Sequence, residues 1–135
     1  METITSEKMN ELVGAAKIVR ENAHAPYSGF KVGAAIIAAS GRIYTGCNVE
    51  NASYGLTICA ERSAIARAIS SGERQILAIA VVADSPEPAA PCGACRQVLV
   101  EFAGDIPVIL ENLKGRRVIY SLNELMPHRF ELKKL

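Results

Sequence analysis

Eight consecutive residues without a polar side chain, Ile76 to Ala83 (ILAIAVVA), constrain the fold of this chain more than any other feature. A continuous apolar run of this length, bounded by turn-forming residues, predicts a strand buried on both faces. Such a strand sits in the middle of a sheet, and helices have to cover that sheet on either side.

The remaining chain supplies the covering elements. Met9, Leu12, Val13, Ala16 and Val19 recur at three-and-four spacing, predicting an amphipathic helix over 6–22 with Ser6 as N-cap. His24 to Gly29 breaks it, and two β-rich runs, 31–39 and 42–49, meet at Ser40-Gly41 as a hairpin. A loop over 51–55 leads to a second helix, 59–71, which Gly72 closes. After 76–83 the proline-rich stretch 84–91 excludes regular structure, and Pro91 is expected at the first position of a third helix reaching Phe102. Strands at 108–111 and 118–121, joined by a turn at Lys114-Gly115, precede a short helix at 123–126 and a polar tail. The expected fold class is therefore α/β, a three-layer α/β/α sandwich around a mixed five-stranded sheet.

The 135 residues are enough for one domain with a core of its own, so a single domain over 1–135 is expected. No apolar run approaches the roughly 20 residues of a membrane span, and METITSEKMNEL lacks the hydrophobic stretch of a signal peptide, so a soluble, cytoplasmic protein is expected without a membrane partner. Fifteen basic against fourteen acidic residues, with basic runs only at KGRR and ELKKL, argue against a nucleic-acid partner. In a reducing compartment four cysteines point to metal binding or catalysis rather than disulfides, and two histidines leave any metal site dependent on sulfur.

Cys92 and Cys95 stand at i, i+3 at the start of the third predicted helix, which places both sulfurs on one face. The positive helix N-terminus favours their thiolate form. Alone, this pair fits a structural zinc knuckle as well as a catalytic site, and Glu61 alone fits a solvated helix carboxylate. Cys59-Ala60-Glu61, at another helix start, changes the reading. Three thiolates leave a fourth tetrahedral position open, and a carboxylate lies two residues away; this is the pattern described for zinc deaminases. Cys47 is expected to be a small buried side chain on a strand, the alternative being a closed four-cysteine structural site.

APYSGFKVGAA at 25–35, CNVENASYG at 47–55, CAER at 59–62 and PCGACRQV at 91–98 together resemble the small zinc-dependent cytidine deaminases, with these segments in family order. The resemblance implies a cytidine deaminase-like fold, one zinc per chain on Cys59, Cys92 and Cys95, and hydrolytic deamination at carbon 4 of cytidine or 2'-deoxycytidine with Glu61 as proton shuttle. It further implies that Arg62 withdraws charge from the thiolates, that Phe30 borders the pyrimidine, and that the backbone of Ala60 reads the base edge. Asn48 and Glu50 are implied to hold the ribose 3'-hydroxyl, and Tyr54 and Phe130 to reach a neighbouring subunit's site in a homotetramer. Taken singly, Phe30, Asn48, Glu50, Tyr54 and Phe130 have ordinary readings as core, turn or interface residues. Arg96 and Gln97 fit packing or subunit contact, and His24 and His128 receive no role.

Overall fold

The computed structural model describes residues 4–132. The last basic residues of the tail therefore lie outside the described part. Five strands form one mixed sheet: β1 (Val32–Ala38), β2 (Ile43–Cys47), β3 (Ile76–Ala83), β4 (Pro107–Asn112) and β5 (Arg117–Ser121), in the order β2-β1-β3-β4-β5. The apolar run is the central strand. β3 pairs antiparallel with β1 and parallel with β4, while β1/β2 and β4/β5 are antiparallel hairpins.

Helix α1 (Ser6–Arg20) covers one face of the sheet. Leu12, Val13 and Ala16 pack there against Ala35, Ala78, Ala80, Val82 and Ile109. On the other face, α2 (Ala60–Ser70), α3 (Gly93–Phe102) and α4 (Leu122–Leu125) bury a second cluster that includes Ile65, Leu99, Val108 and Leu122. Alternate residues of β3 serve the two clusters, Ile79 and Val81 to one and Ala78, Ala80 and Val82 to the other. That division is why the strand has no polar position.

Two glycines let helices lie directly on the sheet. A Cβ on Gly33 would stand 2.0 Å from the Ala16 carbonyl oxygen of α1, and one on Gly46 would stand 2.3 Å from the Ala64 nitrogen of α2. α2 therefore sits close over β2, which fixes the start of that helix relative to the sheet.

The helix starts differ slightly from expectation. Thr5, not Ser6, caps α1, accepting a hydrogen bond from Lys8 N at 3.1 Å. Pro91 lies two residues before α3: Cys92 is the N-cap, and the Pro91 carbonyl accepts from the Arg96 side chain at 2.8 Å. The terminal helix begins at Leu122, where Ser121 and Glu124 form a reciprocal capping box.

Glu111, buried at the end of β4, is paired with Lys17 of α1 at 2.9 Å and Arg117 of β5 at 2.7 Å. Burial alone would push its carboxyl up, but the two cations together hold it below the ordinary carboxylate value. Among the described residues no helix is long and apolar enough to cross a membrane.

Candidate active site

Cys59 and Cys92 are the N-caps of α2 and α3, and Cys95 lies on the first turn of α3. α2 and α3 occupy the same face of the sheet, so their N-termini meet. The three sulfurs lie within 4.8 Å of one another, with Cys92 and Cys95 3.5 Å apart. Two helix N-termini aim unpaired N–H groups and positive dipole ends at this cluster. The N–H of Cys95 in particular holds the Cys92 thiol below its ordinary pKa. Cys95, fully buried and close to the charges of Glu61 and Cys59, is pushed strongly up.

Glu61, the second residue of α2, is 5% exposed, and burial pushes its carboxyl above the ordinary value. Arg62 turns towards the cysteines, donating from Nη2 to Cys59 Sγ at 3.6 Å, a contact that pushes the guanidinium further up. Its buried Nε has no hydrogen-bond partner among the described residues.

A cleft of about 240 Å³ opens above the cluster. It is smaller than typical drug-sized pockets, which run roughly 300–1,000 Å³. Phe30, Asn48, Cys59, Ala60, Glu61 and Cys92, all singled out in the sequence, line it. Val32, Thr57, Val81, Ala89 and Ala90 line it too and were missed, although Thr57 precedes Cys59 by two positions and Ala89-Ala90 leads into Pro91-Cys92. Asn48 is buried and clamps the Phe30 segment, accepting from Val32 N at 2.9 Å and donating to the Phe30 carbonyl at 2.8 Å.

Glu50, buried two residues beyond Asn48, does not itself line the cleft. Its carboxylate accepts from the N–H groups of Tyr27 at 3.0 Å and Ser28 at 3.1 Å and from the Ser28 hydroxyl. The Ser28 hydroxyl is the main reason its pKa is lowered, since it favours the charged form. Tyr54 and Phe130 do not line the cleft. Tyr54 is exposed in an edge-on pair with Tyr27, and Phe130 is exposed by a separate recess with Val100 and Glu101, its carbonyl accepting from Gln97. Cys47, half-buried on β2 opposite Gly33, is not part of the metal cluster.

Residues 6–110 match the model for the cytidine and deoxycytidylate deaminase zinc-binding region. The chain belongs to this deaminase family. Cytidine deaminase from Sporosarcina psychrophila is 48% identical over 94% of each chain, and that from Halalkalibacterium halodurans is 50% identical over 88% of this chain and 91% of the other. The crystal structure of cytidine deaminase from Burkholderia pseudomallei is similar at a TM-score of 0.87 and 48% identity, covering 94% of this chain and all of that one. The deaminase fold thus extends over nearly the whole chain, including the second half of the sheet.

The family's zinc fits the three cysteines. Tetrahedral zinc with Zn–S distances of about 2.3 Å separates its sulfurs by about 3.8 Å, close to the 3.5 Å between Cys92 and Cys95 and inside the 4.8 Å spread of all three. A divalent cation also supplies the charge that buried Cys95 needs to ionise. The three cysteines would hold one ion, and three protein ligands are the number typical of a catalytic zinc.

Proposed function

We propose that this chain, as a single domain over 1–135, hydrolyses free cytidine and 2'-deoxycytidine to uridine and 2'-deoxyuridine, releasing ammonia. The observation that carries this reading is Glu61, a buried carboxyl at a cleft that Cys59 and Cys92 also line. Zinc held by Cys59, Cys92 and Cys95 would supply a Lewis acid that lowers the pKa of water towards neutrality. Glu61 accepts the proton of the attacking water and delivers it to ring nitrogen 3; it then takes the proton of the new hydroxyl at carbon 4 and passes it to the departing amino group, leaving a carbonyl and ammonia. Its burial favours this, because a carboxyl with a raised pKa holds a transferred proton more readily than an exposed one.

Arg62 withdraws electron density from Cys59, offsetting the anionic character of three thiolates. The N–H of Ala60, at the first helical position, has no intrahelical acceptor and is available to the base edge. Phe30 stacks beside the pyrimidine, while Asn48 and Glu50 address the ribose. Three donors already occupy Glu50, leaving one acceptor direction for a 3'-hydroxyl and repulsion for a 3'-phosphate. Free nucleosides are therefore favoured over polynucleotides, which agrees with the +1 formal charge.

Tyr54, Phe130 and the exposed Leu56 and Ile58 suit a homotetramer in which the two aromatic residues reach a neighbouring site. The cellular role is cytoplasmic pyrimidine salvage. The test is to incubate the purified protein with cytidine, deoxycytidine, cytosine and cytidine and deoxycytidine monophosphates, and to measure zinc in the same sample. Turnover of both nucleosides is expected; zinc-loaded protein that turns over neither overturns the reading.

A further inference from the structure

The loop 84–91 forms one wall of the cleft through Ala89 and Ala90 and then enters the metal cluster at Cys92. Three of its eight residues, Pro86, Pro88 and Pro91, have no N–H to offer a backbone ladder. Among the described residues, no backbone-to-backbone hydrogen bond joins 85–91 to the rest of the chain. Its attachments are side chains. Arg96 holds the far end by donating to the Pro91 carbonyl at 2.8 Å, and an exposed Arg116–Glu87 pair spans 3.0 Å at the surface.

The near end hangs from Asn112. This residue is 2% exposed, ends β4, and stands opposite Ala83, the last residue of β3. Its Oδ1 accepts from Lys114 N at 3.1 Å and Arg116 N at 2.9 Å, which shapes the β4–β5 turn. That turn needs only the oxygen. Nδ2 donates instead to the carbonyls of Ser85 and Pro86, both at 3.1 Å. Every hydrogen-bonding direction of the amide is thereby used, as burial requires.

We propose that Asn112 is a positioning residue for the substrate cleft, acting through its two bonds to Ser85 and Pro86 to hold the Ala89–Ala90 wall at its working distance from Phe30. The proposal rests on the deaminase reading above. Asn112 touches neither the cleft nor the cysteines, so its loss weakens nucleoside binding and leaves the proton transfers of Glu61 in place.

Asn112→Asp separates the two halves of the clamp. The turn keeps its acceptor, while the loop carbonyls meet an oxygen in place of a donor. In the zinc-loaded enzyme, KM for cytidine and deoxycytidine should rise about tenfold with kcat within about twofold and zinc content unchanged. A role confined to stability would lower the melting temperature with KM unchanged, and that result overturns the proposal, as does zinc loss with KM unchanged. If the variant does not fold, Pro88→Gly decides. It leaves both attachments intact and loosens the span between them, so a raised KM with kcat retained supports the proposal and an unchanged KM overturns it. Wild-type protein inactive on both nucleosides would instead bring down the deaminase reading itself, a separate outcome.

Discussion

The two flanks of the cleft are secured in unequal ways. On one side, segment 24–32 is laced to residues 48–50: the His24 N–H donates to the Asn48 carbonyl, the His24 carbonyl accepts from the Glu50 N–H, Asn48 grips Phe30 and Val32, and Glu50 gathers Tyr27 and Ser28. On the other side, among the described residues, segment 85–91 has no backbone-to-backbone ties and depends on Asn112 and Arg96, with an exposed Arg116–Glu87 pair at the surface. Both flanks use a buried asparagine amide as the staple, but only the first has a carboxylate and a backbone bridge behind it. Redundancy on one side and its absence on the other mean that single substitutions should be absorbed unequally.

The largest effect on the laced flank should come from Glu50→Ala, which leaves two N–H groups and a hydroxyl unpaired at once. KM for both nucleosides should rise roughly 10- to 100-fold, measured by steady-state kinetics with zinc content as control. An effect below that of Asn112→Asp would sharpen the comparison by showing that the backbone bridge alone holds this flank. Glu111→Gln should come next, because it unties the end of β4 from which Asn112 reaches out. Both cationic partners retain access to water, so a loss of about 1–2 kcal/mol is expected, read from denaturant midpoints.

That loss carries a pH signature. The Glu111 carboxyl is held below its ordinary value of 4.5, so its contribution is fully present above pH 4.5 and fades as pH falls through the lowered value. The difference between wild type and Glu111→Gln should shrink across that acid range and persist at neutrality. The smallest effect should be that of Ser28→Ala. Glu50 keeps the backbone donors of Tyr27 and Ser28, so KM should rise no more than about threefold. A tenfold rise would mean that the laced flank is no more redundant than the other.

The metal set was legible in the sequence because thiolates and a carboxylate at helix starts carry their chemistry in their spacing. The central strand was equally legible, since only a strand buried on both faces tolerates eight apolar residues in a row. Pro91 was misplaced by two positions because its carbonyl goes to Arg96 rather than to the helix ladder, a tertiary choice. Thr5 and Ser6 are both able caps, and the backbone settles which one serves. Thr57, Ala89 and Ala90 were missed because small side chains have no chemical signature until the fold sets them around a cleft. The clamping roles of Glu50 and Asn112 reach across 22 and 27 residues, and no local pattern reports contacts of that range.

The central claim is that Glu61 moves protons beside a zinc site that does not depend on it. Glu61→Gln is nearly isosteric, so its zinc content and fold should match the wild type, while deamination of cytidine should fall by at least about 100-fold. Parallel measurement of bound zinc and kcat on the purified variant tests this directly. Zinc retained with turnover lost is the predicted result; turnover retained at the wild-type rate would contradict the account.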